Sequence, residues 1–198
     1  MRAAGDPPPG FDAALAPTAR PLAQRAPAEL ATLLAAALRA GDGAAGAHCI
    51  HEMWMRGELG SRIEAALDAL WKRASGSIPE WLPMRYIDWL PTVYEVALGF
   101  SGARRGRSNL YLVLLDFSDR TRGPLGIYVG MSRYTPAQRF DQHKAGIHAA
   151  GSVLKRGLEV LTGPTLHLQR LGRLEALRIE AQLAEALGDA GLLVEGGH

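Results

Sequence analysis

Two short apolar runs in the second half of the chain decide the fold of that half. Residues 110–117 have the sequence LYLVLLDF, and residues 126–130 have the sequence GIYVG. Both runs are dominated by aliphatic and aromatic side chains and are too short for an ordinary helix, which favours buried strands. The segment between them, SDRTRGP (residues 118–124), is rich in turn-forming residues. We therefore predict a β-hairpin.

Helical and strand patterns follow the hairpin to the end of the chain. Helices are predicted from Thr135 or Pro136 to near Gly146, over residues 150–161 and over Leu174–Leu187, with short strands at Thr165–Arg170 and Leu192–Val194. This order indicates an α/β (α+β) domain over residues 109–198, in which a central antiparallel sheet is flanked by helices.

The first hundred residues have a different pattern. Residues 1–28 hold six of the twelve prolines and are predicted to form a disordered tail, because proline supplies no backbone donor. Residues 29–100 are predicted to form a small helical region, and the basic segment SGARRGRS (residues 101–108) a linker. The helices of residues 29–100 are expected at Glu29–Arg39, Ala47–Met55, Ser61–Arg73 (with Ser61 and Glu64 in capping-box spacing) and around Val93, Val96 and Ala97.

Composition limits the class of protein. The 198 residues are 47% hydrophobic and 21% charged, which is typical of a globular chain. No apolar stretch approaches the roughly 18 residues that a transmembrane helix needs, and the N-terminus shows no secretory signal. A single cysteine, Cys49, excludes an internal disulfide framework and a multi-cysteine zinc site. We therefore expect a soluble cytoplasmic protein that makes no use of a membrane.

Positive charge is concentrated in the second half. Residues 1–100 hold 9 Lys/Arg and 11 Asp/Glu, whereas residues 101–198 hold 13 Lys/Arg and 9 Asp/Glu. Such a block suits an anionic partner, nucleic acid first, although a solvated basic face explains it equally well.

Five chemically distinct side chains fall on the predicted elements of residues 109–198. Tyr111 and Tyr128 lie on the two hairpin strands, Arg139 and His143 lie one turn apart on a helix, and Glu180 lies on the last helix. These groups make a poor zinc site. They suit phosphodiester hydrolysis better, because a carboxylate binds a hard cation and an arginine stabilises phosphate charge.

The motifs around these residues resemble the GIY-YIG nuclease family over about residues 108–198. Tyr128-Val129-Gly130 matches the second half of the family motif, and Asn109-Leu110-Tyr111 stands where Gly-Ile-Tyr is usual. RFDQHK (residues 139–144) is similar to the family's Arg-x-x-x-His helix, and LEALRIE (residues 174–180) to the helix that carries its metal-binding glutamate.

The resemblance implies a divalent-metal-dependent endonuclease that cuts DNA, in repair or structure-specific cleavage. It makes Glu180 the ligand of Mg²⁺ or Mn²⁺ and Arg139 the clamp on the scissile phosphate. Tyr111 or Tyr128 would activate water, with Tyr111 preferred, and His143 would accept the tyrosine proton.

Cations near this motif are candidate contacts to DNA: Arg133, Lys144, Lys155 and Arg156. The chain also departs from the family pattern, because Met131 stands where many members have lysine. The alternative is therefore a non-catalytic module that binds nucleic acid or protein on a nuclease scaffold, and the helical N-terminal region is a candidate protein-binding element.

One other cluster, HCIHE (residues 48–52), looks like a metal site at first sight. It lacks a second group of ligands to complete a tetrahedron, so packing or surface roles are favoured for His48 and His51.

Overall fold

The fold is that of a computed structural model, which describes residues 12–119 and 123–197. The chain forms two compact units that divide after Pro91. The described residues form helices and one four-stranded sheet, which confirms the predicted α+β class.

Three helices form the body of the first unit. They are α1 (Pro27–Ala40), α2 (Gly43–Met55) and α3 (Gly60–Ala74). Asp42 caps α2 by accepting a hydrogen bond from the Ala45 N–H at 3.0 Å, and Gly41 ends α1 in the left-handed conformation at φ 67°. The predicted capping box of Ser61 and Glu64 is wrong, because α3 already begins at Gly60 after Leu59.

Residues 12–26 are ordered, contrary to the predicted tail. Pro17–Ala19 form a 3-10 helix, and Leu22 is 1% exposed in a cluster with Leu30 and Cys49. The composition did not indicate this order, because the segment contains neither α-helix nor strand. It is held by the buried side chain of Leu22 and by the ion pair between Arg20 and Glu52. Residues 1–11 of the predicted tail lie outside the described residues.

The basic segment 101–108 belongs to the second unit and is not a free linker. Gly106 donates its N–H to the carbonyl of Arg170 at 2.7 Å, and Ser108 pairs with Leu171 in an antiparallel bridge. The second unit begins at Thr92, inside helix α4 (Leu90–Leu98), and therefore includes the whole segment. Backbone pairing therefore overrides the glycine-rich, charged composition that predicted the linker.

The sheet of the second unit has four strands in the order β3-β1-β2-β4. They are β1 (Asn109–Asp116), β2 (Leu125–Ser132), β3 (Gly157–Val160) and β4 (Val194–Gly196). The β1–β2 hairpin is antiparallel, with Tyr111 opposite Gly130, and β3 is antiparallel to β1. The predicted antiparallel sheet needs one correction, because β4 pairs with β2 in parallel.

Alternate residues of β1 pack on opposite sides of the sheet. Tyr111, Val113 and Leu115 form one cluster with Phe117 and Val153. The intervening leucines are equally buried, at 0% exposure for Leu110, Leu112 and Leu114. Both faces of β1 are therefore covered, as expected for a continuous apolar run.

Helices α5 (Pro136–Lys144), α6 (Gly151–Arg156) and α7 (Arg173–Asp189) complete the second unit. The predicted helix over 150–161 is wrong in its second half, where the chain turns into β3 and satisfies the edge of β1. The predicted strand at Thr165–Arg170 is also wrong. Gly163–Leu168 form a 3-10 helix with Pro164 in its first turn. None of the described helices has both the length and the apolar character that crossing a bilayer requires.

Candidate active site

Four of the five predicted catalytic side chains meet beside the β1–β2 hairpin. Tyr111 and Tyr128 lie on adjacent strands, diagonally across the register, and their rings are 6.0 Å apart. The imidazole of His143 lies 6.0 Å from each of them. The positive charge of Arg139 is near enough to act on the pKa of both Tyr111 and His143, lowering each. The hairpin and the adjoining helix thus form one polar cluster, which we call the tyrosine cluster: Tyr111, Tyr128, Arg139 and His143.

Gly130 makes room for the two phenols. A Cβ atom at this position would lie 2.7 Å from the Tyr111 hydroxyl oxygen and 2.6 Å from Cε1 of Tyr128. Both distances are shorter than van der Waals contact, so any side chain here would displace the rings. The glycine of the second half-motif therefore has a steric role.

The start of α5 sets the direction of Arg139 and His143. Thr135 caps the helix by accepting the Gln138 N–H at 3.3 Å, and Gln138 Oε1 accepts the Thr135 N–H at 3.2 Å. Pro136 occupies the first turn, where no backbone donor is needed. Residues 139 and 143 are one turn apart on the helix.

The tautomer of His143 follows from its two hydrogen bonds. The backbone N–H of Ala150 donates to Nδ1 at 2.9 Å, so Nδ1 carries no proton. Burial, together with the positive charge of Arg139, lowers the pKa of His143 to about 4, so the ring is neutral at pH 7. The single proton is therefore on Nε2, which donates to the Tyr111 hydroxyl oxygen at 2.8 Å.

This proton order reverses the predicted direction of the relay. His143 was expected to accept the proton of Tyr111, but Nε2 is the donor in this arrangement. The proton of the Tyr111 hydroxyl is therefore directed away from His143, and the Tyr128 ring lies beside it at a centroid distance of 6.0 Å. Tyr128 lies beside the end of a hydrogen-bonded chain that runs from Ala150 through His143 to Tyr111.

Burial raises the pKa of both phenols, but their neighbours act differently on each. For Tyr128, the neighbouring Tyr111 hydroxyl lowers the pKa and the negative charge of Glu180 raises it. For Tyr111, the phenol of Tyr128 raises the pKa and Arg139 lowers it. Tyr111 is 1% exposed, whereas Tyr128 is only partly buried. Solvent therefore reaches Tyr128 more readily than Tyr111.

Arg139 is held by the loop that follows α5. Its guanidinium donates to the carbonyls of Ile147 at 3.2 Å and His148 at 2.8 Å, and to Gln142 Oε1 at 3.2 Å. His148 has a left-handed backbone at φ 47°. These bonds fix the position of the charge beside Tyr111 and His143.

Glu180 lies on α7 and is 7% exposed. It is near enough to Tyr128 for its charge to raise the pKa of that phenol. Within residues 12–119 and 123–197, no group of three or more His, Cys, Asp or Glu side chains is placed to share a metal ion. A single buried carboxylate fits Mg²⁺ or Mn²⁺, which keep several waters and take phosphate oxygens as further ligands.

The four candidate contacts to DNA fall into two pairs. Arg156 forms a bidentate ion pair with Asp119 at 2.6 and 2.8 Å and lies over the Phe117 ring. Lys144 donates to the Gly157 carbonyl at 3.1 Å. Both cations therefore have structural roles. Arg133 and Lys155 are exposed and remain candidates.

Two contributors to the site were missed from the sequence. The backbone N–H of Ala150 fixes the tautomer of His143, and no sequence signal identifies a backbone donor. The side chain of Asn109 bridges two loops, donating to the Tyr134 carbonyl and accepting from the Arg170 N–H, both at 2.9 Å. The sequence signal for Asn109 was that it stands where the first half-motif usually has glycine.

The HCIHE cluster packs inside the first unit, as expected for histidines with packing roles. His48 and His51 are 1% and 2% exposed, and both rings contact Trp81. Glu52 of the same helix is paired with Arg20 and Arg56.

Comparison with known proteins gave no match, whether to a protein-family model, to a curated protein or to a solved structure. The interpretation of the site depends on its own geometry and chemistry.

Proposed function

We propose that the second unit is a divalent-metal-dependent endonuclease of the GIY-YIG type, which hydrolyses phosphodiester bonds in DNA. The observation that supports this most is the tyrosine cluster, in which a neutral histidine orders two phenols beside an arginine. Phosphodiester hydrolysis needs a proton acceptor for water and a cation for the phosphate charge, and the cluster offers both.

Tyr128 is the better candidate for the proton acceptor, in place of Tyr111. It lies beside Tyr111, whose hydroxyl can donate a hydrogen bond to a phenolate at Tyr128, and it is the more exposed of the two. Tyr111 is enclosed, and its hydroxyl is fixed by the hydrogen bond from His143. In this scheme Tyr111 and His143 orient and stabilise, and Tyr128 takes the proton of the attacking water.

Arg139 and Glu180 supply the charges. The guanidinium of Arg139 is preorganised by carbonyls of its loop, so it stabilises phosphate charge without further reorganisation. When bound at Glu180, Mg²⁺ or Mn²⁺ would polarise the phosphate and offset the carboxylate charge that raises the pKa of Tyr128.

Metal-dependent nicking of DNA by the purified full chain tests the proposal. We expect supercoiled, branched or flapped DNA to be nicked with Mg²⁺, and Glu180→Gln to reduce the rate by at least about 100-fold. Glu185→Gln, an exposed residue of the same helix, is the matched control and should retain activity. Equal nicking by Glu180→Gln would contradict the metal role, and salt-sensitive binding without cleavage would favour the binding-module alternative.

A further inference from the structure

One edge of the second unit carries six exposed arginines. We call it the basic edge, and its members are Arg104, Arg105, Arg107, Arg133, Arg170 and Arg173. None of the six forms an ion pair within the described part of the chain. A carboxylate on the neighbouring helix, Glu175, accepts the Ala103 N–H at 3.4 Å. The guanidinium groups of this edge are therefore available to an anion in solution.

Backbone pairing brings three of these arginines together from distant parts of the sequence. Gly106 donates to the Arg170 carbonyl at 2.7 Å, and Ser108 and Leu171 exchange hydrogen bonds at 3.0 and 2.7 Å. Gly106 also packs against the Leu171 carbonyl so closely that a Cβ atom there would overlap it. Arg105 and Arg107, which flank Gly106, are thus held beside Arg170.

The side chain of Asn109 joins the third segment of the basic edge to the other two. Its amide donates to the Tyr134 carbonyl at 2.9 Å, and its oxygen accepts the Arg170 N–H at 2.9 Å. Arg170 itself has a left-handed backbone at φ 62°. Asn109 therefore fixes the loop that carries Arg133 against the loop that carries Arg170, a link that glycine at this position would lack.

The basic edge adjoins the tyrosine cluster. Asn109 and Tyr111 are two residues apart on β1, so their side chains lie on the same face of the sheet. Arg133 follows the end of β2 directly and precedes α5, which carries Arg139 and His143. A polyanion lying along the basic edge would reach the cluster.

We propose that the basic edge binds the phosphate backbone of duplex DNA beside the scissile phosphate, with Asn109 as its positioning residue. This inference rests on the proposed nuclease function and gives the second unit its own docking surface. A duplex fits better than a single strand, because single-strand grooves rely on several aromatic platforms. Among the described residues of the second unit, Tyr134 is the one exposed Phe, Tyr or Trp side chain.

Salt-dependent binding of a labelled 20-base-pair duplex, followed by fluorescence anisotropy, tests the inference. The full chain carries Glu180→Gln in every sample so that cleavage does not interfere. Replacing Arg105, Arg107 and Arg170 with glutamine should weaken binding about 100-fold at 0.1 M salt and reduce the slope of log K against log salt by about 2.7. Replacing all three with lysine should retain most of the slope, and Asn109→Gly should weaken binding with the six arginines still present.

The matched control replaces Arg39, Arg73 and Arg85 with glutamine, three exposed arginines of the first unit. This variant has the same net charge as the test variant and should keep the slope. Equal loss in both variants, or in neither, would overturn the docking surface, and a stronger effect on a 20-nucleotide single strand would overturn the choice of duplex. Nicking is measured in a separate experiment that compares the parent chain with the Glu180→Gln variant. If the parent chain binds the duplex but does not nick DNA, the result contradicts the proposed function and leaves the docking surface intact.

Discussion

Nε2 of His143 lies 2.8 Å from the hydroxyl oxygen of Tyr111, and the imidazole is the donor of that hydrogen bond. The direction follows from Ala150, whose N–H occupies Nδ1 at 2.9 Å. A backbone group on the α6 side thereby sets the protonation of a histidine on α5, which in turn orients a phenol on β1. The three elements together direct the proton of the Tyr111 hydroxyl away from His143.

The first prediction separates the roles of the two tyrosines. Tyr128→Phe removes the proposed proton acceptor and should reduce the single-turnover nicking rate by about 100-fold or more. Tyr111→Phe removes the hydroxyl that accepts from His143 and lies beside Tyr128 but leaves the proposed base in place, so a smaller loss of about 10-fold is expected. Single-turnover kinetics at saturating Mg²⁺ measure both. The reverse order of effects would make Tyr111 the base.

A second prediction concerns the space between the phenols. Gly130→Ala places a methyl group 2.7 Å from the Tyr111 hydroxyl oxygen, so the rings must move and stability should fall by about 1–3 kcal/mol. Gly188→Ala on α7, where a Cβ meets nothing within 4 Å, is the matched control and should stabilise the helix by about 0.5–1 kcal/mol. Urea unfolding reports both changes. A neutral Gly130→Ala variant with full nicking activity would show that the ring spacing has no functional role.

The hairpin and two of the helices that carry the site were predictable because their signals are local. The apolar run at residues 110–117 predicted the buried strand Asn109–Asp116, and the helix predicted from Thr135 or Pro136 begins at Pro136. Helix α7 extends from Arg173 to Asp189, close to the predicted Leu174–Leu187. Apolar runs and helical periodicity were sufficient in these cases because nearby residues determine the structure.

The remaining features depend on partners that are distant in sequence. Residues 157–160 continue a helical pattern, but they pair with β1 as a strand because that edge needs a partner. The roles of Arg156 and Lys144 depend on Asp119 and on the Gly157 carbonyl, which no motif indicates. The sequence placed Tyr111 and His143 in one site, but it did not show that Nε2 of His143 donates to the Tyr111 hydroxyl, which depends on the Ala150 N–H.

The pH dependence of stability is a third prediction. The pKa of His143 is lowered to about 4 in the folded chain by burial and by Arg139, against about 6.5 when unfolded. Between these values the unfolded state binds a proton that the folded state does not, so stability is full above pH 6.5 and falls towards pH 4. The loss attributable to His143 should be on the order of 3 kcal/mol.

Urea unfolding at pH 7, 5.5 and 4.5 measures this dependence. His143→Phe should be less stable at pH 7 and should lose stability less steeply on acidification, whereas exposed His148→Gln should follow the parent chain. His51, whose pKa burial also lowers to about 4, contributes in the same direction within the first unit and is unaffected by either change. An unchanged slope in His143→Phe would contradict the neutral, buried state of that ring.

The N-terminal segment depends on one buried carboxylate. Glu52 is 2% exposed and accepts two hydrogen bonds from Arg20 at 3.0 and 2.7 Å and one from Arg56 at 2.7 Å, and Arg56 donates to the carbonyls of Leu22 and Ala23. Glu52→Gln leaves two arginines without a counter-charge. The expected loss is about 2–3 kcal/mol, below the cost of a fully buried pair, because Arg20 is 41% exposed.

Glu58→Gln, which breaks the exposed pair with Arg62, is the control and should cost less than about 1 kcal/mol. Limited trypsin digestion after Arg25 should accelerate in Glu52→Gln alone, since release of the segment exposes the Arg25–Ala26 bond, whose carbonyl accepts a hydrogen bond from Arg56 at 2.8 Å. Equal cleavage rates in the two variants would show that Leu22 holds the segment without the ion pairs.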